Sequence, residues 1–428
     1  MKIDITDINA AFSPSIEITD PKKFIGRYEE IESAILSLTT DGAFISIFGL
    51  RGIGKSSIAN QIKLIAEGDK TLPKNLHLEY LLPRKGFNYI VHLVSCDEFV
   101  KDIPALIKRI LYGDDKNSSI FHHNKNGDKR LASFKEKNKI AGGVNGGVFK
   151  GDVHREDEKT FETHISDDLI QQFRLALSTT QKDNQKKDGL LILIDEFDII
   201  SDKTGFASLI KSCTSKFVKF GIVGIGSNVE ELIENHSSIG RQITNILVNP
   251  MPSNELRQII KVAIDSLKGA IIFEKEVEEA MIKDSEGFPY FIHLLGKELL
   301  LETFKKQRKI ATLETYDHIK KRLTEGKISI TQEFRYCSLC RTSSETELML
   351  KLFALAEQNY ILTEDIYDQA REIYDLTKPS QYMDTLLNST EISPVLTFSR
   401  DKRHVRFSDP IFKIYAKIRK PLHKTHDI

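Results

Sequence analysis

Five aliphatic residues in succession, Leu190 to Ile194, leave no polar position on either face. A strand with that pattern is buried on both sides, as in a parallel sheet. The apolar run Ala43 to Phe48 supplies another strand, and Tyr89 to Val94 and Lys219 to Ile225 are further candidate strands. From Pro252 to Leu323 the pattern changes to helical spacing, and no strand is expected there. Ser253 is placed to cap a helix through Leu267, Glu274 to begin another, and Tyr290 to Phe304 carries apolar residues at helical intervals. Near the carboxyl end, helical patterns over Ser344–Glu357, Glu364–Tyr374 and Ser380–Leu387 precede two alternating runs, Val395–Ser399 and His404–Ser408, around Arg400-Asp-Lys-Arg403. That is the order of a winged helix. The stretch 114–168 mixes Lys, Asn and Asp with glycine pairs, and is expected to be a polar insertion carrying a hairpin, with His122 and His123 solvated. The expected organisation is an arm over 1–21, an α/β parallel-sheet core over 22–250 holding the insertion, a helical lid over 251–325 and a winged-helix domain over 326–428.

Candidate chemistry lies at the ends of the predicted strands. The first leads into Gly49-Leu-Arg-Gly-Ile-Gly-Lys-Ser-Ser57 and then into a helical segment. Glycines at 49, 52 and 54 let the backbone turn tightly and bring its N–H groups onto phosphate oxygens, with the helix dipole behind them. Ile53 and Ser57 belong to the same cradle, Lys55 reaches the outer phosphates, and the Ser56 hydroxyl suits Mg²⁺. The run Leu190–Ile194 ends at Asp195 and Glu196, where ligands of open α/β sheets bind. Asp195 is placed to hold Mg²⁺ and Glu196 to orient and deprotonate the attacking water. After Lys219–Ile225 come Ser227 and Asn228; the Asn228 amide can reach a γ-phosphate, and a helix cap is the alternative. Arg241 follows a short loop and can stabilise transition-state charge on a nucleotide held by a neighbouring subunit. The fold class expected is therefore a P-loop NTPase with ATP and Mg²⁺ as cofactors.

Charge and cysteine content narrow the partners. Lys plus Arg equal Asp plus Glu at 61 each, so no overall field draws the chain onto nucleic acid or a membrane, and any such affinity must be local. No apolar run approaches the roughly 20 residues of a membrane span. A soluble cytoplasmic protein is expected. Cys337 and Cys340 form a single CxxC without a second pair at zinc-like spacing.

Taken in order, Phe24-Ile-Gly-Arg27, the phosphate loop, Asp195 and Glu196, Asn228, Arg241 and Gly287-Phe-Pro289 resemble AAA+ and STAND-type P-loop ATPases. The resemblance covers about residues 12–325 and is nearest to bacterial ATPases with an Orc1-like AAA domain, which are similar to archaeal initiators and archaeal ATPases. It implies that Ile25, Gly26 and Arg27 lie on the base side, mostly through backbone, that Asn228 is sensor 1, and that Arg241 is an arginine finger or interface sensor. AAA+ lids place an arginine early in the third lid helix, whereas here Gly287-Phe-Pro289-Tyr290 has none. That Gly-x-Pro form, with Pro289 at the nucleotide, is typical of STAND-like proteins and implies a slow switch rather than fast ring-driven hydrolysis. Val405-Arg-Phe-Ser-Asp-Pro410 resembles the end of winged-helix domains attached to archaeal-type ATPases. Two functions stay open. One is an ATP-hydrolysing switch that oligomerises or engages a separately encoded effector, in bacterial defence or signalling. The other is an ATP-dependent initiator or loader that grips duplex DNA through the wing (Arg400, Lys402, Arg403, Arg406) and the basic tail (Lys413, Lys417, Arg419, Lys420).

Overall fold

A computed structural model describes residues 3–114, 117–124, 169–226, 243–389, 393–399 and 401–423. Contacts divide the chain into two compact units, one of Glu17–Gly49 and Gly54–Asn249, the other of Met1–Ile16, Leu50–Ile53 and Pro250–Ile428.

The first unit is built on five parallel strands, β1 (Phe44–Gly49), β2 (Tyr89–Ser95), β3 (Gly189–Asp195), β4 (Val218–Ile225) and β5 (Ile243–Val248), in the order β2-β3-β4-β1-β5. Every residue of β1 and β3 is buried, as the unbroken apolar run of β3 requires; β1 buries Ser46 along with its apolar residues. The edge strand β5 instead leaves Asn245 and Leu247 exposed and buries Ile246 and Val248. Aromatic residues from strands and helices meet on one side of the sheet, where the Phe197 and Phe206 ring centroids lie 4.4 Å apart. The helix Ile103–Tyr112 turns its apolar stripe to this core; Asp102 caps it by accepting from the Ala105 amide at 2.8 Å.

Residues 117–124 correct the expected insertion boundary, because they belong to this core. Ile120 and Phe121 are buried, Asn117 Oδ1 accepts from the Ser95 amide at 2.9 Å, and Ser119 Oγ donates to the Leu111 carbonyl at 2.6 Å. His123 is not solvated: its Nε2 lies 3.2 Å from Nδ1 of buried His92. Burial pushes His92 down to about 3, so that ring stays neutral. The rest of the expected insertion, 125–168, lies outside the described residues.

In the second unit the short helix Ile5–Ala11, closed by a capping box between Asp4 and Asp7, carries Ile8 and then Phe12 into the interior. The Phe12 ring stacks on Phe273 at 6.3 Å. Helices Ser253–Ser266, Lys275–Ser285, Pro289–Lys305 and Leu313–Thr324 follow. Two expectations change here. Ser253 is the first helical residue rather than the cap, which is Pro252. Strands do occur: β6 (Ile272–Phe273) and β7 (Ile310–Ala311) pair in parallel, each only two residues long.

The carboxyl part runs through helices Ile330–Cys340 and Ser344–Leu355, strand β8 (Ile361–Leu362), helix Thr363–Tyr374, the short helix Met383–Leu387, strands β9 (Leu396–Phe398) and β10 (His404–Phe407), and helix Pro410–Ile418. The sheet order is β8-β10-β9, with antiparallel pairs throughout. Pro379–Tyr382 forms a 3₁₀ turn, so the third helix expected in this part is shorter than its sequence pattern indicates. The basic tail is corrected. Arg419 is buried and donates from Nε and Nη2 to the two carboxylate oxygens of Glu333, each at 2.8 Å. Lys417 pairs with Glu286, and Lys413 donates to the Gln358 carbonyl at 3.2 Å. Three of the four tail cations are thus bound within the fold. Arg400 lies outside the described residues.

Candidate functional site

The loop after β1 turns twice through the left-handed region, at Gly52 with φ +74° and Gly54 with φ +102°. Residues with a Cβ are strained there, and the two glycines answer different needs. A Cβ on Gly54 would meet nothing within 4 Å, so its requirement is conformational. A Cβ on Gly52 would fall 2.6 Å from Ile411 Cδ1 and 3.6 Å from Tyr290 Cβ, all within the second unit. Gly54 opens the helix Lys55–Glu67 and its carbonyl accepts from the Ile58 amide at 3.1 Å. Lys55 and Ser56 are therefore first-turn residues, beside amides without helical acceptors and the positive end of the dipole.

β3 delivers its acids to the same place. Asp195 is 8% exposed, and its carboxylate accepts from the Ser56 hydroxyl and, at 2.8 Å, from the Glu196 amide. Burial raises the Asp195 pKa above the usual carboxylate value; the Ser56 and Glu196 hydrogen bonds and the Lys55 charge oppose that rise, and Glu17 adds to it. Glu196 is exposed and held at φ +55°, a conformation that costs a non-glycine residue on the order of 1 kcal/mol or more. Asp198 turns away from solvent chemistry: its Oδ1 accepts from the Ile225 amide at 2.7 Å and ties this acidic turn to the end of β4.

The structure thus brings Lys55, Ser56 and Asp195 together, with Glu196 next along the chain. One neighbour was missed. The backbone of Ile18 donates to Ser57 Oγ at 3.0 Å, and Gln61 Nε2 donates to the Ile18 carbonyl at 2.9 Å, which brings Glu17 into electrostatic range of Asp195. No sequence motif marks that approach.

On the expected base side, Gly26 and Arg27 are both left-handed, with φ +66° and +64°. The buried Arg27 guanidinium donates to Glu30 Oε1 at 3.0 Å and to the Asn249 carbonyl at 2.6 Å, tying the start of helix Tyr28–Thr39 to the end of β5. Its side chain is committed to structure. Pro289 is the first residue of its helix in the second unit, preceded by Gly287, whose carbonyl accepts from Met251 at 2.8 Å. Ser227, Asn228 and Arg241 lie outside the described residues.

Ser56 and Asp195 offer a hydroxyl and a carboxylate, the sparse oxygen set that suits Mg²⁺, which keeps several waters and takes substrate phosphates. Among the described residues no group of three or more His, Cys, Asp or Glu side chains is placed to hold a metal. Cys340 is buried and Cys337 donates to Glu333 Oε1 at 3.3 Å; burial raises both thiols, so neither is a ready thiolate. No helix among the described residues is long and apolar enough to cross a membrane.

The profile of the novel STAND NTPase 1 family matches residues 14–372. No curated protein matches the sequence. Among solved structures, the Aeropyrum pernix ORC2 protein in its ADP form is similar at 13% identity and TM-score 0.49, covering 96% of this chain and 97% of that one. The Thermotoga maritima RuvB Holliday junction branch migration motor is similar at 14% identity and TM-score 0.43, covering 91% and 94%. The Aeropyrum pernix ORC1 protein in complex with DNA is similar at 13% identity and TM-score 0.42, covering 92% of each.

Proposed function

Because the chain belongs to the novel STAND NTPase 1 family, and so to the nucleoside triphosphatases, we propose that it is a Mg²⁺-dependent ATPase acting as a switch. In its ATP-bound form it assembles with itself or engages a separately encoded effector. The observation that carries the ATPase reading is the meeting of the Ser56 hydroxyl with the buried Asp195 carboxylate beside Lys55. A hydroxyl and a carboxylate from two different elements, with a cation at a helix start, are the parts needed to hold a metal–triphosphate.

Ser56 and Asp195 would hold Mg²⁺, which when bound would supply positive charge to the phosphate oxygens. The amides of Gly52, Ile53, Gly54 and Ser57, with Gly49 at the loop's start, cradle the phosphates while Lys55 neutralises the outer ones. Glu196 orients water for in-line attack and accepts its proton. Asn228 positions that water against the γ-phosphate, Arg241 stabilises charge from a neighbouring copy, and the backbone of Ile25, Gly26 and Arg27 borders the base. The DNA-gripping reading receives less support: the third helix of the carboxyl part is short and carries Asp384, and three of the four tail cations are bound within the fold.

Lys55→Ala should weaken ATP binding, whereas Glu196→Gln should retain binding and lower turnover by about 10²-fold or more, the usual scale for a general base. Equal loss of binding in both variants contradicts these roles. Mass measurement with and without a slowly hydrolysed ATP analogue tests the switch; one unchanged monomer mass, with no effector captured, removes self-assembly.

A further inference from the structure

The helical part of the second unit contains a cavity of about 670 Å³, within the roughly 300–1,000 Å³ typical of small-molecule sites. Its floor is apolar, made by the half-buried Ile3 and Phe304, while its wall presents four exposed cations, Lys268, Lys305, Arg308 and Lys309, and no carboxylate. Two helix ends create it. After Ser253–Ser266 the chain turns through Lys268 and Gly269 at φ +52° and +77°, and after Pro289–Lys305 it turns through Gln307 at φ +52°. Each turn leads into one of the paired strands β6 and β7, and the Ile272 amide donates to the Lys309 carbonyl at 2.9 Å. The cations therefore stand on two turns fixed to each other.

A cation in the last turn of a helix ordinarily complements the terminal carbonyls, and Lys305 has that place. Lys268, Arg308 and Lys309 lie beyond the helix ends. Among the described residues none of the four makes an ion pair, whereas adjacent Lys306 pairs with Glu302 at 3.2 Å. Like charges gathered around one concavity repel, and in a chain of formal charge +0 their concentration is local.

We propose that this cavity is a binding site, separate from the loop Gly49–Ser57, for a small organic phosphate. At least two phosphate groups lie on the cationic wall, and an apolar heterocycle or comparable body covers Ile3 and Phe304. Arg308 offers a planar fork to one phosphate and the lysines supply point charges. The apolar floor distinguishes such a ligand from a bare inorganic ion, which would leave it wet.

The test is calorimetric titration of the full-length Lys55→Ala protein with inorganic pyrophosphate and, separately, ADP. One saturable, salt-weakened site per chain is expected, with ADP binding about 10-fold more tightly than pyrophosphate because its body covers the floor. Adding Lys268→Glu and Arg308→Glu should weaken both by at least ~10-fold while leaving the unfolding temperature unchanged, since both side chains are exposed. Absence of saturable heat with either probe overturns the proposal. Binding that survives the double charge reversal overturns it too, because it belongs to the phosphate loop. Binding of duplex DNA or of phosphatidylserine vesicles without binding of pyrophosphate and ADP equally rejects a small-molecule site.

Discussion

Replacing Gly52 by alanine measures how firmly the tip of the phosphate loop is packed. Two costs add. Gly52 has φ +74°, and an L-residue in the left-handed region costs about 1–2 kcal/mol. The new Cβ would also lie 2.6 Å from Ile411 Cδ1 and 3.0 Å from Cγ1, roughly 1 Å inside ordinary carbon–carbon contact. Ile411 is 8% exposed, in the first turn of a helix whose Asp409 cap accepts from the Ile411 amide at 3.0 Å, so more than a terminal methyl must move. Overpacking of that kind costs about 1–3 kcal/mol. Gly54→Ala carries the conformational cost alone, because a Cβ there meets nothing within 4 Å. In an Ile411→Ala background the overlap disappears, and Gly52→Ala should then cost what Gly54→Ala costs. The double-mutant cycle should show a coupling of about 1–3 kcal/mol. Thermal unfolding reads it, at about 2–4 °C per kcal/mol for a unit of 150–250 residues. Additivity of Gly52→Ala and Ile411→Ala within ~0.5 kcal/mol, or equal costs for the two glycine variants in the parent protein, would refute the reasoning.

Asp195→Asn should separate stability from activity. Burial holds the Asp195 carboxyl above its usual value, so the folded protein keeps a proton that the unfolded chain releases, and this group's contribution to stability falls as pH rises through that window. At pH 7 without nucleotide or metal the asparagine variant should unfold at a higher temperature than the parent, yet lose Mg²⁺-dependent hydrolysis; a lower unfolding temperature contradicts the assignment. Glu333 behaves in the opposite sense, since Arg419 holds its carboxyl down to about 2. Its stabilisation is complete above the ordinary glutamate range and is lost as pH falls toward that value. Glu333→Gln should cost about 1.5–3 kcal/mol, the range for hydrogen bonds to charged groups, and should flatten the unfolding-temperature profile between pH 5 and about 2; an unchanged profile would place the acid sensitivity elsewhere.

The central strands were legible because strands buried on both faces leave continuous apolar runs, and Leu190–Ile194 is the clearest of them. β5 was not, because Asn245 and Leu247 face outward and interrupt its pattern. β6 and β7 are too short to have a period at all. In the site, Lys55, Ser56 and Asp195 could be foreseen because a glycine loop and a strand end each specify where the next residue points. Glu17 could not, since its approach depends on side chains of the helix Lys55–Glu67 capturing the backbone of Ile18. The tail misled for a related reason: a count of cations does not reveal Glu286 and Glu333, which lie 131 and 86 residues from Lys417 and Arg419.

The bond from the Ile225 amide to Asp198 has a mechanical consequence. It yokes the tight turn that bears Glu196 to the point where the chain leaves β4, so neither can be displaced without dragging the other or surrendering a charge-assisted hydrogen bond. A displacement of Ile225 would therefore reach Glu196, the carboxylate proposed to orient water, with no need for the sheet itself to deform.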